Sequence, residues 1–168
     1  MAELEQTIEE KLINQLTQGK SQWTYRPDLN DENKLWDNIR LILERGNKEQ
    51  LDGQPLSDKE FEQVKNQLSF ATFYDAAKWI SGENGIAHIS VQRDIKTVQL
   101  TVLKRDDIAG GSSVYEVINQ YRALKDDECD IHDQNRRFDV SLLINGIPLI
   151  HIELKNRQHS YMDGFRQI

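Results

Sequence analysis

Two strand-like runs, Arg137–Ile144 and Pro148–Lys155, flank Asn145-Gly146 and constrain this chain more than any other part of it. Asn-Gly between apolar runs is a strong hairpin signal, because both residues tolerate the positive φ of a tight turn. Glu153 and Lys155 lie two apart on the second run, so they project from one face. Charged groups ending an apolar strand are costly to bury without partners. Asp139, across the hairpin, completes a set of two carboxylates and one ammonium converging on one place.

Register decides whether they meet. With a simple two-residue loop Ile144 faces Ile147 and Asp139 pairs with Ile152, leaving the carboxylates on opposite faces. A shift of one, with Ile144 opposite Pro148, sets Asp139 opposite Glu153 and Ser141 opposite His151. It also sets Val140 opposite Ile152 and Leu142 opposite Ile150, so that one face is apolar and the other polar. The expectation is therefore a three-residue loop or a glycine bulge at 145–147, with Gly146 at positive φ.

Two carboxylates and a lysine suit phosphodiester hydrolysis. Mg²⁺ takes oxygen ligands and is commonly held by one or two carboxylates while keeping several waters. A lysine beside the metal can orient or deprotonate water and offset transition-state charge. Taken alone, acid-x-lysine is also the pattern of an ordinary surface ion pair. The surrounding string is more specific.

From Arg137 to Lys155 that string resembles the nuclease motif of the motor/restriction (R) subunit of type I restriction-modification enzymes, within the PD-(D/E)xK nuclease superfamily. Phe138 precedes Asp139, so the superfamily's Pro-Asp is absent, as it often is in R subunits. Ile8–Leu16 is similar to the family's opening helix, with Glu9 the better match to its glutamate and Glu10 the competing one. Gly164–Ile168 is similar to the helix whose glutamine begins a Gln-x-x-x-Tyr motif, which points to Gln167, although the chain ends before any such tyrosine. The resemblance implies an Mg²⁺-dependent DNA endonuclease, with Asp139, Glu153 and Lys155 catalytic. Asp139, Glu153 and the Leu154 carbonyl would hold the metal, and Lys155 would activate water. It also implies fusion to an ATP-driven motor after residue 168, and work on double-stranded DNA alongside modification and specificity subunits. No Gly-x-x-x-x-Gly-Lys-Ser/Thr loop occurs here, so any ATP dependence is expected in that motor.

The expected fold is α/β: a restriction-endonuclease-like core with a central mixed sheet flanked by helices, the N-terminal helices on one side. With 168 residues the chain suits a single domain, helix-rich over about 1–82 and carrying its sheet and catalytic core over about 83–168. Helical spacing runs from Glu3 to Gln18 and from Asp31 to Gly46. A third helix begins at a Ser57–Glu60 capping box and could reach Trp79, with a break near Ser69. Its aromatic stretch reads as helix packing in preference to a base-stacking platform. Residues 20–30 read as loop, 86–91 and 97–103 as strands, and Ser113–Leu124 fits either helix or strand.

A net charge of −7 is the wrong sign for a free-standing nonspecific DNA binder, so other domains or subunits would have to grip the duplex. Cys129, the single cysteine, excludes an intrachain disulfide and a multi-cysteine zinc site. No signal peptide or membrane-spanning run is present, and a cytoplasmic location is expected. His151 reads as a supporting or substrate-facing residue; Arg136, Arg137, Arg157 and Arg166 suit phosphate contacts and solvated positions equally. Two rival readings remain: another PD-(D/E)xK nuclease for repair or junction resolution, and a catalytically silent docking module of a DNA motor.

Overall fold

In the computed structural model, residues 5–108, 111–122 and 137–154 are described. The chain divides into two compact units, one from residues 1–38 with 114–168, the other from 39–113. In chain order the elements begin with α1 (Glu5–Thr17), β1 (Trp23–Tyr25), α2 (Glu32–Gly46), α3 (Asp58–Leu68) and α4 (Phe73–Ser81). There follow β2 (Ile86–Arg93), β3 (Lys96–Lys104), a one-turn α5 (Arg105–Ile108), β4 (Tyr115–Arg122), β5 (Arg137–Ile144) and β6 (Ile147–Ile152).

The first unit is built on a four-stranded mixed sheet in the order β1-β4-β5-β6. β1 runs parallel to β4, and the other neighbours are antiparallel. Successive strand residues face opposite ways, so Val117, Val140 and Leu142 point to one side and Ile118 and Leu143 to the other. The first side packs on α1 through Ile13, with Leu12, Leu16, Trp23, Ile152 and Leu154 at the margin. The second side is covered by Leu29 and Leu35, the latter in the first turn of α2. Each such side chain, fully buried, contributes about 1.5–3 kcal/mol. The N-terminal helices therefore lie on both sides of the sheet, not on one as expected, because the sheet has two apolar faces to cover. A buried carboxylate, Glu116, ties β4 to the preceding segments: it accepts from Arg26 Nη1 and, at 2.8 Å, from Asn38 Nδ2.

Residues 20–30 include a strand that their polarity hid. Three residues of β1 are too few to show a period, and their pairing Trp23↔Tyr115 to Tyr25↔Val117 is wholly long-range. The ambiguous stretch from Ser113 is strand, since β4 supplies buried side chains to both faces of the sheet.

In the second unit β2 and β3 form a two-stranded sheet of their own, against which α3 and α4 pack. The third helical pattern breaks at Ser69 as expected: Ser57 and Glu60 complete the capping box of α3, and Thr72 caps α4. The outer edge of β2 is closed by side chains. Gln67 accepts from Ser90 N at 3.0 Å and donates to Ser90 O at 2.7 Å. Gln63 does the same at Gln92 (2.8 and 3.3 Å), and Trp79 Nε1 donates to His88 O at 3.0 Å. Positions four apart on a helix rise about 6 Å, close to the 6.6–6.8 Å that separates alternate strand residues, so two glutamines can serve as a row of strand partners. On β3, the buried Asn47 pairs with Thr101 N (2.7 Å) and O (2.9 Å). The aromatic stretch is only partly helix packing: Phe70 and Trp79 touch, whereas Phe73 is 93% and Tyr74 74% exposed.

Candidate active site

The hairpin β5–β6 carries the proposed chemistry, and its register is the first test. Val140 pairs with Ile152, Ser141 with His151 and Leu142 with Ile150, as face sorting requires. This register places Asp139 level with Glu153. The turn itself differs from expectation. Ile144 pairs with Ile147 across a two-residue loop, with Asn145 at φ 52 and Gly146 at φ 78, the type I′ pattern. The shift comes between Leu142 and Leu143, where Leu149 is the extra residue on β6. Asn-Gly satisfies the tight turn so well that the bulge moves to a place beside Pro148, which has no N–H to give the ladder. Gly146 has the expected positive φ; the three-residue loop and the bulge at 145–147 are corrected.

Asp139 and Glu153 are partly buried. Asp139 Oδ2 accepts the Leu154 N–H at 2.7 Å, so the Leu154 peptide lies against the Asp139 carboxylate. On the same face the buried Ser141 hydroxyl lies 2.7 Å from His151 Nδ1. The His151 side chain as a whole is exposed, yet enough protein surrounds its ring that desolvation lowers its pKa below the ordinary histidine value. Ser141 was signalled as a polar residue two after Asp139 and opposite His151, and the register bears that pairing out.

Glu9 is held on the α1 side of the sheet. It is 6% exposed and accepts from Asn119 Nδ2 at 2.6 Å and from Gln120 Nε2 at 3.4 and 3.3 Å. Tyr25 donates to Asn119 Oδ1 at 2.8 Å. Burial first, and then the charge on Glu9, raise the Tyr25 phenol above its usual pKa, while the Asn119 hydrogen bond opposes them. These groups border an open cleft of about 470 Å³, with Gln6, Glu10 and Asn14 along its rim. Glu9 and not Glu10 is the buried one of the pair: Glu10 is exposed, with a hydrogen bond from Gln6. No hydrogen bond among the described residues joins Glu9 to Asp139 or Glu153.

Gln120 was invisible to sequence reasoning. It stands in mid-strand at φ 54, a left-handed conformation for which glutamine has no intrinsic preference. Lys155 and Gln167 lie outside the described residues, as do Cys129, Arg136, Arg157 and Arg166.

A mixed sheet with helices on both faces, and two carboxylates brought level on adjoining strands, is compatible with a restriction-endonuclease-like fold. A family model described as the type I restriction enzyme R protein N terminus matches residues 2–168, and the chain belongs to that family. It is 30% identical over 167 residues to the type I restriction enzyme SauMSSORF170P endonuclease subunit of Staphylococcus aureus, covering 98% of this chain and 16% of that one. It is 30% identical over 168 residues to the SsaAORF53P endonuclease subunit of Staphylococcus saprophyticus, with 96% and 16% covered. The EcoprrI endonuclease subunit of Escherichia coli is 27% identical over 172 residues, with 99% and 47% covered. The chain thus spans about a sixth of the staphylococcal relatives. Among the described residues no helix is long and apolar enough to cross a membrane.

Proposed function

We propose that this domain is the DNA-cleaving centre of a type I restriction enzyme endonuclease subunit, hydrolysing phosphodiester bonds of unmodified DNA. One observation carries the reading: the register of β5 and β6 brings Asp139 level with Glu153 on one face, beside the Leu154 peptide. Among the described residues no three His, Cys, Asp or Glu groups gather into a metal cage. Two carboxylates and a backbone carbonyl fit a hard cation that keeps its waters, as Mg²⁺ does. Asp139, Glu153 and the Leu154 carbonyl would hold it, and when bound it supplies positive charge against the scissile phosphate. Lys155 would orient the attacking water and take or share its proton. His151, whose Nδ1 lies 2.7 Å from the Ser141 hydroxyl, would be a supporting or substrate-facing residue of this centre.

The net charge of −7 argues that the duplex is gripped elsewhere. Double-stranded DNA would reach this domain through an ATP-driven motor farther along the same subunit, in a cytoplasmic complex with modification and specificity subunits. The test is cleavage by the full-length subunit in its assembled complex. Asp139→Ala, Glu153→Ala and Lys155→Ala should each abolish cutting and leave ATP hydrolysis and translocation intact. Wild-type cutting by Glu153→Ala would overturn the assignment and favour the silent docking module.

A further inference from the structure

The pairing of β4 with β5 runs Asn119↔Val140 and then Tyr121↔Phe138, which puts Gln120 at the level of Asp139. Asn119 faces α1, since its amide reaches Glu9. In an extended strand the next residue would face the other way. The Gln120 carboxamide would then stand across the ladder from Asp139, with the two Cβ atoms about 5 Å apart. Instead the backbone at Gln120 turns to φ 54, and its side chain reaches the same Glu9 carboxylate as Asn119. A non-glycine residue keeps such a conformation only where its surroundings over-determine it. Here the surroundings are a carboxylate 6% exposed at the inner face of α1, accepting from two consecutive side chains of one strand.

We propose that Gln120 is a positioning residue of the cleavage centre. Its left-handed backbone, anchored by Glu9, clears a carboxamide from the face that carries Asp139, Ser141, His151 and Glu153. This inference rests on the nuclease reading for its effect on cleavage, but not for its effect on Asp139. Left extended, Gln120 would present two amide protons to the Asp139 carboxylate and compete with the Leu154 N–H and with any cation. Turned away, it leaves the carboxylate to the Leu154 peptide, and it orders Glu9 at the same time.

The consequence is an inverted order of substitutions. Inside an ordinary strand glycine is worse than alanine or valine, through entropy and lost packing. At a left-handed position glycine is the better residue, and a β-branched one the worst. Gln120→Gly, Gln120→Ala and Gln120→Val should be compared in the full-length subunit within its complex. Two readouts apply: the cleavage rate with its Mg²⁺ dependence, and hydrogen exchange at the Leu154 amide, which reports the Asp139 carboxylate without reference to activity. Expected is cleavage in the order wild type, Gly, Ala, Val, with Val slowed about tenfold or more. Leu154 should stay protected in Gly and lose protection in Val. If the Val variant does not fold, Gly against Ala carries the same comparison. Equal behaviour of Gly and Ala in both readouts, or a Val variant with wild-type Leu154 protection, would overturn the proposal. Should Glu153→Ala cut DNA in the same assay, the nuclease reading fails, and Leu154 exchange still judges Gln120.

Discussion

In the second unit, Gln63, Gln67 and Asn47 turn their carboxamides against strand edges, and Glu60 and Arg93 face each other at 2.6 Å. In the first, carboxamides from Asn119 and Gln120 converge on a carboxylate, and Asp139 accepts from a backbone amide. Both units therefore use amide groups to satisfy what is buried, but toward different ends. In one they close a sheet that would otherwise offer its edge to any passing strand. In the other they hold acidic groups in place without cancelling their charge. Glu116 shows that the first unit can also neutralise a buried acid where no chemistry is proposed, since Arg26 pairs with it directly. The contrast separates a carboxylate paired with a guanidinium from carboxylates held by amide groups.

The largest effect expected from this contrast is on rate. Asp139→Asn and Glu153→Gln keep size and hydrogen bonding but lose charge, and each should slow cleavage at least about a hundredfold. Melting temperature should hardly move. A variant that melts much earlier yet still cuts would place these residues with Glu116, as structural acids.

Next in size is the ion pair of the second unit. Glu60 is pulled down to about 2, first by the Arg93 guanidinium and then, against burial, by its bonds at Ser57. Arg93 also donates to the carbonyls of Leu51 and Pro55. Arg93→Ala strands a buried carboxylate and should cost about 3–5 kcal/mol in denaturant unfolding. Because the folded pKa of Glu60 is depressed, its contribution is present above the unfolded value of 4.5 and fades as pH falls toward about 2. That contribution is on the order of 3 kcal/mol. Acid titration of wild-type stability should show the loss in that window, and Glu60→Gln should remove it. A stability profile for Glu60→Gln with the same acid slope as wild type would separate the pair from acid unfolding.

Smaller again is the edge closure. Gln67→Ala removes two bonds to Ser90 and should cost about 1–2 kcal/mol, with faster hydrogen exchange at Ser90 and more aggregation on heating. Exchange at Ser90 unchanged by the substitution would mean that the edge is protected by something else. The smallest effect lies in the hairpin turn. Asn145 accepts from the Val114 N–H at 2.8 Å and has φ 52, so Asn145→Gly keeps the turn and loses that side-chain bond. It should cost about 0.5–1 kcal/mol, less than Asn145→Ala, and should leave cleavage unaltered. Equal costs for Gly and Ala would remove the argument from positive φ.

Local chemistry made much of this protein legible in advance. The Ser57 capping box, the break at Ser69, the Asn145-Gly146 turn and the alternation of Val140, Leu142, Ile150 and Ile152 each depend on residues close in the chain, so pattern was enough. Asp139 and Glu153 were legible because a half-buried hairpin must sort its faces. What the sequence did not contain was the place where that sorting would be done: an Asn-Gly turn can stay tight while the bulge slips to Leu149, and only the packing of both faces chooses.

Tertiary structure decided the rest. β1 exists because β4 offers it an edge. β2 and β3 form their own sheet because the glutamines of α3 and Asn47 already occupy their outer hydrogen bonds. Gln120 turns left-handed because Glu9, 111 positions earlier in the chain, fixes its amide. Periodicity encodes which face a residue seeks, since each side chain carries its own hydrophobicity. It does not encode which distant group will meet it there, and strain or edge closure arises only from that meeting.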